Sequence, residues 1–450
     1  METDERVNQL PELIATGSPA ELVPVLSAMA REGRLAGELA ELTRGQLHRL
    51  ADTLGDQEFA DLLGEIEPVD AAELLTRLAL HDAADVLEAM DPDDAADVVG
   101  EFDEYDANRI LIEMEPVEAA ELRELLSHPP ETAGGRMTPA FIAISPDLRA
   151  DQAVVALRQL SAQAETINYV YVTDDSDQLI GVLSLRGLVL SPPETPVRDA
   201  MVSDIVTVPI HADQEEAARI LMDHDLLALP VVDDQGRLQG IITSDDVQDI
   251  IEQETTEDIE RLGGSAPLEE PYLRASPFRL VRKRVGWLLI LFLAQAYTGT
   301  VLAFYEDTLE AVTALVFFMP LLIGTGGNAG SQVVTTIVRA MAVGDVYFRD
   351  IFRIVWKELQ TGILLGAAMA IAVFARSLML GVGVDIGVVV SLTILAIVIW
   401  AVTVGAILPL VLRQLRVDPA VVSAPFIATL VDGTGLLIYF TVAGIVLGLN

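Results

Sequence analysis

The chain has 450 residues, no cysteine, and 68 acidic side chains against 28 Lys and Arg, a formal net charge of −40. Without thiols there are no disulfides or thiolate metal centres, and the five histidines show no HExxH-like spacing, which argues against zinc chemistry. Such a charge repels nucleic acid and attracts cations, although a plainly solvated acidic surface has the same composition.

The charge is uneven. Residues 1–284 hold 59 acids against 21 bases, whereas the remainder is nearly neutral, so an acidic soluble half is joined to an apolar half. The opening METDERVNQL has no basic and apolar leader, which predicts that the first half stays in the cytoplasm. No grouping of nucleophile, base and oxyanion donors and no phosphate loop is visible, so an enzyme is not expected.

Residues 1–130 are predicted to form an acidic α-helical superhelix. Between Glu58 and Arg123 one pattern returns every twelve residues, as in DAAELL at 70, DAADVL at 82 and DAADVV at 94. Pro68, Pro92 and Pro116 each follow an acid, the arrangement that starts a helix. One short helix and a turn per unit, with small Ala pairs, predicts close stacking around a continuous core. Asp93, Asp94 and Asp97 share a helix face and are either solvated or one side of a cation site.

Residues 136–192 and 197–254 are two copies of one α/β module. NYVYVTDDSDQLIGVLSLRGL at 168 matches LALPVVDDQGRLQGIITSDDV at 227, each after an amphipathic helix. The pattern resembles a tandem pair of CBS domains. That resemblance implies pseudo-symmetry, dimerisation and an adenosine nucleotide such as ATP held by a Ser/Thr and an Asp three residues later. The second copy keeps Thr243 and Asp246; the first has Gly187 where the carboxylate would stand.

Residues 246–275 read as an acidic connecting helix and linker, with Asp249, Glu252, Glu257 and Asp258 ended by Gly263-Gly264. A basic collar follows, Arg274, Arg279, Arg282, Lys283 and Arg284, as at the cytoplasmic mouth of a first span. Like charges on neighbouring acidic pieces repel, so compactness requires protons or cations between them.

Residues 279–450 are predicted to cross the bilayer five times, at about Val285–Phe304, Ala311–Ala342, Leu359–Leu380, Val388–Leu412 and Val421–Leu447. Arg349, Arg353, Lys357, Arg413 and Arg416 mark the cytoplasmic side and Glu306, Asp307, Glu310 and Asp385 the outer one, which puts Asn450 outside. Two spans are expected to be interrupted helices: the second, with Pro320, Gly324, Gly326, Gly327 and Gly330, and the fifth, with Pro425, Gly433 and Gly435. Broken backbone at membrane depth lines water or is buried in protein, and small-residue helix contacts are the alternative use of the glycines. Asp432, near the middle of the fifth span, costs roughly 2.5–3.5 kcal/mol at mid-bilayer and should face water, a partner or an ion. Asp418 would lie near the pore entrance and also starts the span with Pro419.

The whole order, with GTGGNAGSQ in the second span and VDPAVVSAPFIATLVDGTG entering the fifth, resembles the MgtE family of magnesium channels. That resemblance implies a homodimer in the plasma membrane, with one pore on the two-fold axis and hydrated Mg²⁺ on Asp432 of each subunit. It places Asp418 at the mouth and makes Asn328, Gly326, Gly327, Pro425 and Thr429 pore-lining candidates. It also makes the connecting helix a plug, held shut when Mg²⁺ occupies Asp61, Asp93, Asp97, Asp225, Asp246, Asp249, Glu254, Glu257 and Asp258. Ala424, Ser331 and Leu226 depart from residues common at these positions. Passive Mg²⁺ influx under negative feedback is the expected function. A Mn²⁺ or Co²⁺ transporter and a membrane-anchored CBS sensor without transport are the alternatives.

Overall fold

The computed structural model describes residues 10–161, 164–268, 272–273 and 275–448. Residues 1–9, Arg274 of the collar and the terminal Asn450 lie outside the described residues. The chain divides into two compact units, Met1–Glu252 and Gln253–Asn450.

In the first unit, the repeat becomes six helices, Asp56–Gly64, Pro68–Leu75, Leu80–Ala89, Pro92–Gly100, Glu104–Glu113 and Pro116–Leu125, whose first residues are twelve apart. Pro68, Pro92 and Pro116 occupy the first helical position, where the missing N–H costs nothing and φ is already helical. Ala71, Ala83, Ala95 and Ala119 recur at one position of the repeat, and Leu74, Val86, Val98, Ile110 and Leu122 at another. All nine are buried, so one register of small and large side chains builds a core running from unit to unit.

The duplicated module forms two three-stranded sheets of the same topology. In the first, β1 (Ala143–Ile144) pairs parallel with β2 (Tyr169–Thr173), which pairs antiparallel with β3 (Leu179–Ser184). β4 (Val208–Pro209), β5 (Ala228–Val232) and β6 (Leu238–Thr243) repeat this. Each hairpin carries a register shift at the same place, Val172/Thr173 and Val231/Val232. At the shared turn, Asp177 (φ 60°) and Gly236 (φ 76°) take the same left-handed conformation. The copies join there, Leu179 N–H donating to Gly236 O at 3.0 Å and Leu238 N–H to Asp177 O at 3.2 Å.

The connecting helix Ser244–Leu262 continues from β6. In the second unit, five helical segments are long and apolar enough to cross a membrane: span 1 (Pro277–Phe304), span 2 (Thr313–Ala342), span 3 (Phe348–Leu380), span 4 (Val384–Gln414) and span 5 (Ala424–Leu447). Span 4 is the central one, with Ile394, Ile397, Val398, Ala401 and Val402 buried together.

The interrupted helices expected from the glycines and prolines do not occur. Span 2 is one α-helix from Met319 to Ala342 after a 3₁₀ turn, and Pro320 sits in its first turn. Span 5 is continuous as well, with Pro425 in its first turn. The glycines serve close packing instead: a methyl group on Gly326 would stand 2.4 Å from Ile397 Cγ2 and 2.7 Å from Val431 Cγ1. One on Gly330 would stand 2.6 Å from Ile427 Cγ2. Spans 2, 4 and 5 approach so closely because no side chain separates them there.

Candidate functional sites

The first unit gathers carboxylates between the superhelix and the CBS pair. Asp91 immediately precedes the helix Pro92–Gly100, which carries Asp93, Asp94 and Asp97; Asp245, Asp246 and Asp249 come from the start of the connecting helix, and Glu165 from the segment before β2. Asp246 accepts from Thr243 N–H at 2.7 Å and from Thr243 Oγ1 at 3.0 Å. Asp97 accepts from Arg136 Nη1 at 2.8 Å, and Arg136 Nε reaches Gln214 Oε1 at 2.9 Å.

The electrostatics are strained. Burial, followed by Asp246, Asp94 and Glu165, pushes the Asp93 carboxyl well above the usual range. Burial and then Asp91 and Asp246 raise Asp94 to about 7, and Glu165 is raised to about 7 by burial and the same two carboxylates. Burial raises Asp246 against the hydrogen bonds from Thr243, and raises Asp97 against Arg136. Asp91 is raised by burial, Asp61 and Asp245; Asp249 by burial, Glu252 and Asp245. Asp93 Oδ1 and Glu165 Oε2 are buried without a hydrogen-bond partner among the described residues. Those two oxygens are what a cation or its bound water would satisfy. No group of three or more His, Asp or Glu among the described residues is close enough to hold one metal ion directly. A cation bound there would have to reach these oxygens in part through its own waters, which Mg²⁺ commonly keeps.

Five of the expected regulatory residues, Asp61, Asp93, Asp97, Asp246 and Asp249, meet in this cluster. Asp225 does not join its described interactions; it closes the helix Gln214–Asp223 at φ 50°. Glu165 is new here, because a lone acid in a loop carries no sequence signal. The nucleotide pair Thr243 and Asp246 is turned inward, its carboxylate engaged by Thr243 and by Asp93. In the first copy, Gly187 N–H only caps on Ser184 Oγ at 3.0 Å.

In the second unit, the end of the connecting helix meets the start of span 5. Arg261 Nη1 lies 2.6 Å from Asp418 Oδ2, and Arg261 Nη2 lies 2.7 Å from Glu257 Oε2. Asp258 is raised by burial, Asp418 and Glu254, and lowered by Arg261 and Arg339. Glu254, Glu257, Asp258 and Asp418 thus form one mixed-charge group with Arg261. Gly264 turns back at φ 78° against Trp287 and Pro425, and Ala266 N–H donates to Lys283 O at 3.0 Å. Asp418 does not start span 5 as expected: it accepts from Ala420 N–H at 2.8 Å and caps the separate 3₁₀ turn Pro419–Val421, while Ser423 caps the span itself, accepting from Phe426 N–H.

Deeper along span 5, Asp432 Oδ2 accepts from Gln295 Nε2 of span 1 at 3.1 Å. Gln295 is a second residue that sequence reasoning missed; as the polar side chain of span 1 facing Asp432, it was hidden among apolar neighbours. Thr429 bonds back to Pro425 O at 2.9 Å, and Thr434 accepts from Trp400 Nε1 at 2.9 Å. Gly326 and Gly327 are buried against spans 4 and 5, whereas Gly324, Asn328, Gln332 and Thr336 form an exposed stripe on the other side of span 2. A polar stripe on a transmembrane helix faces a partner or water rather than lipid.

Family models match along the chain: the MgtE intracellular N domain over residues 30–131, the CBS domain over 133–192 and 197–253, and the MgtE divalent cation transporter over 319–442. The chain is 44% identical over 332 residues to the magnesium transporter MgtE of Thermus thermophilus, covering 74% of each. This chain belongs to the MgtE family. It is also 34% identical over 326 residues to the magnesium transporter MgtE of Bacillus subtilis, covering 72% of each. A solved structure of the soluble part of a magnesium transporter superposes with a TM-score of 0.51 at 30% identity, covering 56% of this chain and 99% of that one. Family members are named for transport, in keeping with the lack of a catalytic grouping in the sequence.

Proposed function

We propose that this MgtE-family chain is a homodimeric plasma-membrane channel for passive Mg²⁺ influx, closed by cytosolic Mg²⁺. Asp432 carries the reading: an ionisable group near the middle of a span, with a neutral amide as its polar neighbour. Mg²⁺ gives up its water shell reluctantly, so a site that must release it quickly uses few charges and many waters. One carboxylate per subunit, with Asn328 and Thr429 on the same two helices, supplies that. A membrane potential of ~100 mV is worth ~4.6 kcal/mol for a divalent ion, roughly a thousandfold or more in concentration, so no fuel is needed.

The same reading assigns closure to the acidic cluster of the first unit. Mg²⁺ shared by Asp93, Asp97, Asp246, Asp249 and Glu165 offsets their repulsion; when it leaves, the carboxylates separate. The connecting helix carries that change to Glu254, Glu257, Asp258 and Arg261, which meet the pore mouth at Asp418. The N-terminal domains are then cytoplasmic and the C-terminus outside. ATP, if it binds the CBS pair, does so at the second copy through Thr243 and Asp246, in competition with the cluster for that carboxylate.

Flux competition in proteoliposomes tests the ion. Mg²⁺ uptake unaffected by equimolar Mn²⁺ and Co²⁺ supports Mg²⁺ as the substrate; preferential Mn²⁺ or Co²⁺ uptake overturns it in favour of the other divalent ions.

A further inference from the structure

The helix of span 3, Ile351–Leu380, has 30 residues, so it is roughly 45 Å long and overruns a hydrocarbon core of ~30 Å by about three turns. The excess lies at its start, where the sequence reads FRDIFRIVWKELQ before the apolar run begins at Thr361. Around this first part, the side chains separate sharply by face. Ile354 is buried and Ile351, Val355 and Glu358 are half-buried, whereas Phe352, Arg353, Trp356 and Lys357 are exposed within an arc of roughly 140°.

The exposed arc pairs two chemistries. Phe352 is 87% and Trp356 63% exposed, and they lie one turn apart; Arg353 and Lys357 form the adjoining row, also one turn apart. Just before the helix, Arg349 stacks over the Tyr347 ring at 5.0 Å and Phe348 is exposed. Of the nearby acids, Asp350 accepts from Tyr347 N–H at 3.2 Å and lies 4.0 Å from Arg349 Nε, and Glu358 is on the packed face. No ion pair engages Arg353 among the described residues. In a chain this acidic, Arg353 and Lys357 exposed beside bare aromatic rings suit an anionic head joined to an apolar tail.

We propose that Phe352, Arg353, Trp356 and Lys357 form a binding surface for an anionic phospholipid of the cytoplasmic leaflet. The phosphate is held by Arg353 and Lys357, with Arg349 alongside, and the acyl chains cover Phe352 and Trp356. Amphipathic side chains at the headgroup level suit this division of labour. The inference needs only that the second unit sits in a bilayer and does not depend on which ion crosses it.

The intact chain, reconstituted in phosphatidylcholine vesicles, tests this with spin-labelled phosphatidylglycerol and phosphatidylcholine. A preference of several-fold for phosphatidylglycerol is expected, falling in Arg353→Gln/Lys357→Gln by roughly fivefold per charge lost until the two lipids bind alike. Equal binding of both lipids by the unaltered protein overturns the proposal, as does a preference unchanged in the double variant. Soluble glycerol phosphate should not displace the labelled lipid; displacement would mean a free-phosphate site and overturn the lipid assignment. Brominated phosphatidylglycerol should quench Trp356, the remaining tryptophan in Trp287→Phe/Trp400→Phe, more than brominated phosphatidylcholine does; equal quenching contradicts the placement.

Discussion

Arg261 and Asp418 are joined by an ion pair of 2.6 Å that ties the last turn of the connecting helix to the loop opening span 5. Glu257 holds the guanidinium there at 2.7 Å, and in the proposed channel Asp418 is the carboxylate that a cation entering from the cytoplasm would meet first. Both partners are about one-third exposed, so the pair is screened and contributes about 0.5–1 kcal/mol. Arg261→Gln should therefore shift the internal Mg²⁺ that half-closes the channel upward by about two- to fivefold. Uptake measured across a range of internal Mg²⁺ reads this directly, and an unchanged midpoint would remove the pair from the gate.

The acidic cluster predicts an inverted pH dependence. A carboxyl raised to about 7 in the folded protein, as Asp94 and Glu165 are, binds more protons folded than unfolded between its ordinary range and pH 7. Stability conferred by the protonated forms is present at low pH and lost as pH rises towards about 7. With divalent ions chelated, the melting temperature of the first unit in the full chain should fall by several °C from pH 5.5 to 8. Mg²⁺ should restore it at pH 8 and flatten the profile. A midpoint that rises with pH under chelation would contradict the burial of these acids.

Neutralising the cluster separates gating from conduction. Asp93→Asn/Asp97→Asn/Asp249→Asn should leave uptake at low internal Mg²⁺ intact and weaken inhibition by tenfold or more, each lost carboxylate contact with an ion being worth roughly 1.5 kcal/mol. Undiminished inhibition in this variant would locate the sensor elsewhere.

Gln295 positions Asp432 from span 1, and its amide is the neighbour that orients the carboxylate. Gln295→Leu should lower Mg²⁺ flux about tenfold, since a hydrogen bond to a charged group is worth about 1.5 kcal/mol. Gln295→Glu, which places a second carboxylate beside Asp432, should alter the competition between Mg²⁺ and other divalent ions.

Close packing at Gly326 makes the membrane unit intolerant there. A methyl group would meet Ile397 and Val431 well inside van der Waals contact, so Gly326→Ala should cost about 1–3 kcal/mol and lower the melting temperature in detergent. Gly324, where a methyl group would meet nothing within 4 Å, should accept Ala with little change.

The repeat was legible because each twelve-residue unit fills its own helix and buries the same positions: Ala83 and Val86 in one unit, Ala95 and Val98 in the next. The CBS pair was legible for a similar reason, two copies sharing even the left-handed turn at Asp177 and Gly236. The spans followed from length and apolar content. What pattern could not supply was contact between distant segments. Glu165 and Asp93 are 72 residues apart, and Gln295 and Asp432 are 137 apart; nothing local marks either pair. For the glycines of span 2 the sequence left two uses open, an interrupted helix or a close helix contact, and weak helix propensity favoured the wrong one because the neighbours Ile397 and Ile427 are distant in sequence. Once those side chains pack against bare backbone, the helix continues.

The most direct test is Mg²⁺ uptake into proteoliposomes containing the unaltered chain or Asp432→Ala, with internal Mg²⁺ varied. The account predicts flux that disappears in the variant and is suppressed by Mg²⁺ on the cytoplasmic face. Absence of flux from the unaltered protein at every internal Mg²⁺ concentration, or full flux in Asp432→Ala, would contradict it and favour an anchored sensor or another ion path.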